Sequence, residues 1–563
     1  MSICLFTSCS LEETPLSKFG VEEAYKDSTL TYVNTVASVY SAVSDKMYGD
    51  DYSIQSLNEF TSDATLVPGR QGDWIDGGVW QNLFLHNFVP SCDIYSTIWN
   101  YLYKMIGLCN SSIDKLAKID NINKSAKVYS YELRAFRALH YYYLMDLFAQ
   151  VPLVTSSSTP ISGVKQSSRS EIFKYIVNEL TECLPFLSDA MSQQKGIYYG
   201  RMTKAIAYMV LAKCAINAPI YTTDDTSITS YKTFVGNDLS GACTASETKG
   251  SIVSNLGKNI IMTIDGNKLN AWNAAIYCAN KIKSLGYQLE ESYADNFIVA
   301  NEKSIENIWA IPNDDSMYKR WDGCLIRSIH YNHAAAMNYS GWNGMCATVR
   351  AMKVQNYGKT NQDPRLNINY YTGTDYTKDT NGKLVNDGAT DQNLEYEPLK
   401  VIVDFGANAN PHDIKCAGAR FKKYEFDSSS TVEGELNNDM VIFRYADALL
   451  IKAEAEYRLG EKSTALIDLN TVRSRVNAPQ RANITLDDIL NERMAEFAWE
   501  GVRRPDQIRF CTFTQPTIDR YEGVDHNASA DGYNNDTQGY TCVFPIPSTV
   551  LSLNPMLRQN PGY

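Results

Sequence analysis

The sequence predicts a mostly α-helical protein, a scaffold of paired helices with a large irregular loop region and a few short β-strands. Apolar residues recur at helical spacing in the N-terminal and C-terminal parts of the chain, which predicts helices there. Segment 290–435 is instead rich in Tyr, Asn, Gly and Asp, which predicts loops. The 563 residues are 44% hydrophobic and 21% charged, a composition typical of a globular protein with a substantial core.

Helical periodicity identifies the N-terminal elements. In segment 126–149, Ala135, Ala138 and Tyr142 recur at steps of three and four, and Val151-Pro152 follows as a stop. The predicted helices are 21–43, 92–119, 126–149, 171–188 with Ser170 as cap, 202–218, and 271–284 with Asn270 as cap. Segment 45–90 contains Gly, Asp, Asn and Trp without a period, which predicts a long ordered loop of the kind that often carries function.

The C-terminal part predicts a helical hairpin. Apolar residues repeat through 439–459, Gly460 suits the end of a helix, and Ala465 begins the stripe of the next one. Small residues at the contact and a tight turn make this hairpin similar to a tetratricopeptide (TPR) unit. Thr485 with Asp488 predicts a capped helix over 486–503. Short strands are expected at 308–311 and 399–403.

Charge and motifs exclude several classes of protein. The net charge is −12 and no run of Lys or Arg occurs, so nucleic-acid binding is not expected. Phosphate-binding, dinucleotide, zinc-protease and esterase motifs are absent, and we expect no catalytic residue and no cofactor. His330 and His333 have the spacing of metal ligands but lie in a Gly/Asn-rich segment, so no metal is expected either. The 13 Cys form no CxxC pair, and Cys183, Cys214 and Cys278 are expected as buried free thiols.

The N-terminus indicates lipid attachment. A short apolar stretch ends in Thr7 and Ser8 directly before Cys9, and polar sequence follows. A bacterial lipoprotein signal ends in this way, with the Cys thiol acylated for membrane anchoring. Phe6 is unusual at its position and no basic residues precede it, so we expect residues 1–9 to be a truncated signal. The alternative is an ordinary N-terminus with a chance Cys.

Four stretches of the chain follow one family pattern. They are Leu133–Phe148 with Val151–Leu153; Phe443–Glu456 leading to Leu469–Arg475; Asn491–Arg503 with Asp506 and Arg509-Phe510; and Phe544–Pro547 with Asn554-Pro555 and Gln559–Tyr563. With Cys9 and Asp363-Pro-Arg365, they span nearly the whole chain in a fixed order. The chain therefore resembles the SusD/RagB family of nutrient-uptake lipoproteins of the Bacteroidetes outer membrane. Arg504-Pro505 departs from the pattern, because the family usually has an aromatic residue before the Asp.

The resemblance implies a helical protein that is not an enzyme. Residues 10–225 would form the SusD-like N-terminal helical part, and 226–563 the C-terminal part with TPR-like helices at 437–510, in one compact body. The protein would lie on the extracellular face of the outer membrane, anchored through Cys9. It would bind an oligosaccharide or a peptide and deliver this nutrient to a SusC-like TonB-dependent transporter.

Glycan recognition needs aromatic rings for the apolar faces of sugars and polar side chains for their hydroxyls. The resemblance implies a ligand site in loops of the irregular half, and the candidates here lie in the early loop and in the middle of the chain. The aromatic candidates are Trp74, Trp80, Tyr318, Trp321, Tyr339 and Trp342. The polar candidates are Asp73, Asn313, Asp322, Asn338 and Asn343. Packing is the alternative explanation for each ring. Two other functions stay open, namely a TPR-like scaffold that binds only protein and an α-rich glycoside hydrolase.

Overall fold

A computed structural model describes the chain over residues 26–119, 125–160, 163–224, 247–314, 323–374, 377–379, 381–429, 436–514, 534, 536 and 538–563. Helices dominate these residues, and the strands are short. The mostly α-helical fold class predicted from the sequence is therefore confirmed. Within the described residues, no helix combines the length and the apolar composition needed to cross a membrane.

The N-terminal helices run in the predicted order. They are α1 (Ser28–Tyr32), continued by a π-helical turn (Val33–Ala37) and α2 (Ser38–Tyr40), then α3 (Ile54–Phe60), α4 (Val79–Phe84), α5 (Asp93–Ala117), α6 (Ser125–Phe148), α7 (Arg169–Cys183), α8 (Lys204–Ile216), α9 (Ala218–Tyr221), α10 (Glu247–Asn259) and α11 (Ala271–Ser284). Asn270 caps α11 as predicted, since its side chain accepts a hydrogen bond from the Asn273 backbone N–H. Helix α7 begins earlier than expected because Ser168 and Glu171 form a capping box.

The remaining helices alternate with loops before the C-terminal hairpin. They are α12 (Gly323–Ser328), α13 (Tyr331–Ala336), α14 (Val349–Val354), α15 (Leu366–Asn369), α16 (Pro411–Cys416), α17 (Tyr445–Leu459), α18 (Lys462–Arg475), α19 (Leu486–Glu496), α20 (Arg503–Arg509) and α21 (Ser548–Leu553). Gly460 ends α17 with a φ of 98°, which confirms the predicted turn of the hairpin. The Thr485–Asp488 capping box that starts α19 is also present.

The strands of the described residues form two-stranded sheets that tie the loops together. They are β1 (Thr65–Leu66), β2 (Gly69–Arg70), β3 (Val151–Pro152), β4 (Gln166–Ser167), β5 (Ile261–Ile264), β6 (Asn267–Asn270), β7 (Asn307–Ile311), β8 (Cys346–Ala347), β9 (Tyr370–Tyr371), β10 (Asp404–Phe405), β11 (Arg420–Phe421) and β12 (Met440–Arg444). β2 and β10 pair in parallel, and β1–β8, β3–β4, β5–β6, β7–β12 and β9–β11 are antiparallel.

Helices that follow one another pack as neighbours. α5 packs on α6 and α6 on α7, while α11 lies between α8 and α17, and α17 packs on α18. The side chains of Cys183, Cys214 and Cys278 are buried within this stack as free thiols, as predicted. The helix pairs form the body on which the loop region is assembled.

Several further details of the sequence prediction are wrong. Segment 45–90 contains α3 and α4 rather than only loop, because short helices packed on the core need no long periodic stripe. Segment 399–403 is not a strand in the structure; strand β10 begins just after it, at Asp404. The helix predicted over 439–459 begins at Tyr445, because residues 440–444 pair with β7, and α19 ends at Glu496 rather than 503.

Candidate functional site

Two loops that are distant in sequence bring tryptophan side chains together. The first loop, residues 71–78, leaves β2 and enters α4, and the second, residues 337–345, joins α13 to β8. The Trp74 indole N–H donates to the Trp342 carbonyl oxygen at 2.8 Å, and the two ring centroids are 6.3 Å apart at 43°. The Trp80 ring lies 6.0 Å from that of Trp74. We call Trp74, Trp80 and Trp342 the aromatic cluster.

The three rings differ in exposure. Trp342 is 44% exposed, Trp74 is half-buried and Trp80 is only 3% exposed. Trp80 packs on the Tyr52 ring, and its indole N–H donates to Asp76 at 2.6 Å. Trp342 and Trp74 therefore form the accessible surface of the cluster, and Trp80 supports Trp74 from below.

A glycine and a buried arginine hold the second loop against the first. A Cβ at Gly344 would lie 2.3 Å from the Trp74 ring, so only glycine lets the indole lie directly on this backbone. Arg70 is buried and donates to the carbonyl oxygens of Gly344 at 3.2 Å and Ala417 at 3.1 Å. Burial and the neighbouring Arg420 guanidinium lower the pKa of Arg70 to about 9, which leaves it charged at neutral pH.

Both loops contain residues in unfavourable backbone conformations. Within these two loops, the non-glycine residues with left-handed φ are Gln71 (52°), Trp74 (59°), Asp76 (40°), Asn338 (56°) and Asn343 (52°). Such conformations cost of order 1 kcal/mol each and tend to cluster at binding sites. The loops are therefore shaped by their surroundings rather than by local preference.

The polar candidates fall into two groups. Asp73 is exposed directly beside Trp74, and Asn338 is exposed in the second loop. Asn343 is buried, and its side-chain oxygen accepts a hydrogen bond from Arg420 at 2.8 Å. Asn313 is also buried, and its backbone N–H donates at 2.9 Å to Asp439, which directly precedes β12, so this contact is not with the cluster.

The remaining candidates are not brought into the cluster by the described contacts. The half-buried Tyr339 ring packs against Phe426 with centroids 5.2 Å apart. Tyr318, Trp321 and Asp322 lie outside the described residues, as does Cys9.

The structure adds site residues that sequence reasoning missed. Asp76 holds the Trp80 indole, and Tyr52 and Phe60 pack on the same ring at 5.7 Å each. Helical spacing does not explain the contact of Asp76 with Trp80, because Asp76 precedes α4 and has a left-handed φ of 40°. No sequence pattern near Gly344 indicates its role, because that role depends on contact with the distant Trp74.

The paired histidines are buried and uncharged. Burial lowers the pKa of His330 to about 3 and that of His333 to about 4, with the Arg420 guanidinium as the next cause in both. The His333 imidazole lies 3.0 Å from the Tyr396 hydroxyl. In the part of the chain that the structure describes, no three His, Cys, Asp or Glu side chains form a group that could hold a metal ion.

Comparisons with known proteins identify the family. Residues 305–563 match the model of the SusD family, and residues 22–216 match a model described as starch-binding associating with outer membrane. The chain belongs to the SusD/RagB family. Members of this family are carbohydrate-binding proteins rather than enzymes, which confirms that aspect of the resemblance.

Curated relatives and solved structures agree with the assignment. The chain is 24% identical to the starch-binding protein SusD of Bacteroides thetaiotaomicron, over 77% of this chain and 72% of the relative. It is 22% identical to a SusD-like protein of Bacteroides ovatus, over 95% and 84%. A laminarin-binding SusD-like protein superimposes with a TM-score of 0.63 at 20% identity, over 96% of this chain and all of that one. Surface glycan-binding protein A of Bacteroides thetaiotaomicron in complex with laminarihexaose gives 0.60 at 19% identity, over 94% and 98%.

Proposed function

We propose that this protein binds glycans through the aromatic cluster. The observation that carries the proposal is the exposed Trp342 ring beside a Trp74 ring that is fixed by a hydrogen bond and by close contact with Gly344. Exposed large rings are uncommon on soluble surfaces, and two adjacent rings match the apolar faces of neighbouring sugar units. The glycan-binding names of the relatives support the same assignment.

The rigidity of the cluster favours ligand binding over packing as its role. A ring that is already held in place loses little conformational freedom when a sugar stacks on it, so more of the stacking energy appears as affinity. Trp74 is held on one side by Gly344 and by Trp80 beneath it. An oligosaccharide is favoured over a peptide as the ligand, because aromatic ring faces suit the apolar faces of sugars and the neighbouring carboxylates suit their hydroxyls.

Replacing Trp342 tests the proposal. Trp342→Ala should weaken glycan binding by roughly tenfold or more, because stacking beyond area burial contributes about 1 kcal/mol and apolar area adds ~25 cal/mol per Å². Calorimetry with laminarihexaose and maltoheptaose, preceded by affinity gels with laminarin and starch, measures the effect. Phe186→Ala is a matched control, because the Phe186 ring is also exposed but stacks on Tyr131. Equal affinity of Trp342→Ala and the wild type would exclude Trp342 from the site.

We propose further that Cys9 carries a lipid anchor and that the protein presents glycan to a SusC-like TonB-dependent transporter at the cell surface. The small residues before Cys9 support the anchor, and family membership supports the transporter. Cys9→Ala should release the full-length protein from outer membranes, and co-purification with a transporter from membranes tests the partnership. A protein that binds the transporter but no glycan would instead support the scaffold function.

A further inference from the structure

Carboxylates lie beside the Trp74 and Trp80 part of the aromatic cluster. Asp76 is exposed while it accepts the Trp80 indole N–H, and exposed Asp73 directly precedes Trp74. Asp51 is half-buried and directly precedes Tyr52, whose ring packs on Trp80 with centroids 5.7 Å apart. We call Asp51, Asp73 and Asp76 the carboxylate rim.

The described cations next to these carboxylates are buried or paired with protein groups. Arg70 is 2% exposed and donates hydrogen bonds to backbone carbonyl oxygens. Arg327 is 1% exposed, and it donates to the Asp50 carbonyl oxygen at 3.2 Å and lies 3.5 Å from the Asp51 carboxylate. Lys46 forms an ion pair with Asp50 at 2.8 Å.

The other buried guanidinium of this region lies behind the second loop. Arg420 is fully buried, and its contact toward the loop is the hydrogen bond to the Asn343 side chain. Its Nε and Nη1 atoms have no hydrogen-bond partner in the described residues, but both are enclosed in protein. Among the described residues, the exposed charged groups that contact a ring of the cluster or directly adjoin one in sequence are the carboxylates of Asp76 and Asp73.

This distribution of charge discriminates between ligands of the same shape. A sugar hydroxyl donates well to a carboxylate, and charge-assisted hydrogen bonds are stronger than neutral ones. A uronate or sulfate on the sugar would instead meet like charges within the ~8 Å over which charges act at physiological salt. Like-charge juxtaposition is an effective way to exclude a competing ligand.

We propose that the aromatic cluster and the carboxylate rim select uncharged glycans and exclude glycans that carry carboxylate or sulfate groups. This inference rests on the proposed glycan binding and adds the charge class of the ligand. The side chains of Asp73 and Asp76 exclude charged glycans by repulsion, whereas the rings of Trp342 and Trp74 stack on the sugar.

Matched polymer pairs test the inference. Affinity gels and calorimetry would compare laminarin with sulfated laminarin, amylose with carboxymethyl-amylose, and fully methyl-esterified homogalacturonan with its de-esterified form. For any pair that binds, we expect the uncharged polymer to bind at least tenfold more tightly than the charged one. This ratio of affinities should be smaller at 1 M salt, where charges are screened within about 3 Å. Equal binding, or preference for the charged member, would overturn the inference.

Neutralising the rim tests its cause. The double variant Asp73→Asn and Asp76→Asn should bind the charged polymer more tightly. The ratio of the affinity for the uncharged polymer to that for the charged polymer should therefore fall at least threefold. The amide oxygen introduced by the second substitution can still accept the Trp80 indole N–H. Asp295→Asn is the matched control, because Asp295 is exposed on the turn Tyr293–Asn296. If the double variant had the same ratio of affinities for uncharged and charged polymer as the wild type, the carboxylate rim would not be the cause of the selectivity. Failure of the wild type to bind either member of every pair would contradict the proposed function itself.

Discussion

Trp80 and Trp342 belong to one cluster but have different environments. Trp80 is 3% exposed and contacts Tyr52, Phe60 and Trp74, whereas Trp342 is 44% exposed. A buried indole stabilises the fold through packing, and an exposed indole stabilises mainly what binds to it. The same residue type therefore has two different consequences when it is removed.

Trp80→Ala should lower the free energy of unfolding by roughly 3–5 kcal/mol, because it leaves a cavity and removes the hydrogen bond to Asp76. Trp342→Ala, the matched control, should lower it by about 1 kcal/mol or less. Urea denaturation followed by circular dichroism measures both. If Trp80→Ala were as stable as Trp342→Ala, the ring would not be part of the core.

Sequence reasoning could propose these tryptophans but could not distinguish the buried Trp80 from the exposed Trp342. Trp74, Trp80 and Trp342 were identified because they lie in segments without an apolar period. Their convergence depends on the contact of the two loops, separated by more than 250 residues, and no local pattern encodes it. Burial of Trp80 and of Asn343 likewise follows from tertiary packing.

At the level of elements, the first loop depends on the close approach of the second. Gly344→Ala would place a methyl group 2.3 Å from the Trp74 ring and 2.8 Å from the Arg327 carbonyl oxygen, so the indole has to move. We expect glycan affinity to fall about tenfold or more with laminarihexaose or maltoheptaose as probe, measured by calorimetry.

Gly257→Ala provides the control for this steric change. Its Cβ would lie 2.1 Å from the Trp272 ring in the packing of α10, so it should lower the melting temperature. Its affinity for glycan should equal that of the wild type, because no described contact joins α10 to the aromatic cluster. A Gly344→Ala protein with normal affinity would show that the position of Trp74 does not matter for binding.

Elements that are specified locally were predicted, and those that depend on distant partners were not. The cap at Asn270, the turn at Gly460 and the capping box at Thr485 each need only residues within one turn. Strand β12 instead forms because it pairs with β7, more than 120 residues away, and this pairing displaces the start of α17 to Tyr445.

At the scale of the whole molecule, buried ion pairs connect the loop region to the helical stack. Glu496 on α19 accepts hydrogen bonds from Arg365 at 2.8 Å and Arg444 at 2.6 Å, and Arg475 also contacts it. Burial opposes the charge on Glu496, but these guanidinium groups hold its pKa well below its usual value. The motif Asn491–Arg503 that carries the family resemblance is therefore part of this structural network, whereas the aromatic cluster lies outside it.

Another buried carboxyl group, that of Glu59, has a raised pKa instead of a lowered one. Glu59 is 1% exposed and accepts hydrogen bonds from the Gly501 backbone N–H at 2.6 Å and the Thr65 hydroxyl at 2.9 Å. Burial raises the pKa of Glu59 from 4.5 to about 7, since these two bonds do not fully replace water. The folded protein therefore binds a proton here that the unfolded chain has already released between about pH 4.5 and 7.

Because the pKa of Glu59 is higher in the folded protein, its contribution to the free energy of unfolding is fully present below pH 4.5, the pKa in the unfolded chain. This contribution is lost as the pH rises through about 7. Glu59→Gln, which carries no charge, should therefore gain stability relative to the wild type as pH rises from 4.5 to 8, by roughly 3 kcal/mol. Buried His140, His330 and His333 titrate in the same range with the opposite sign, because burial lowers the pKa of each. The difference between variant and wild type cancels their contribution, so urea denaturation of both proteins across this range isolates Glu59. A difference that stays constant with pH would show that Glu59 ionises in the folded protein as readily as in the unfolded chain.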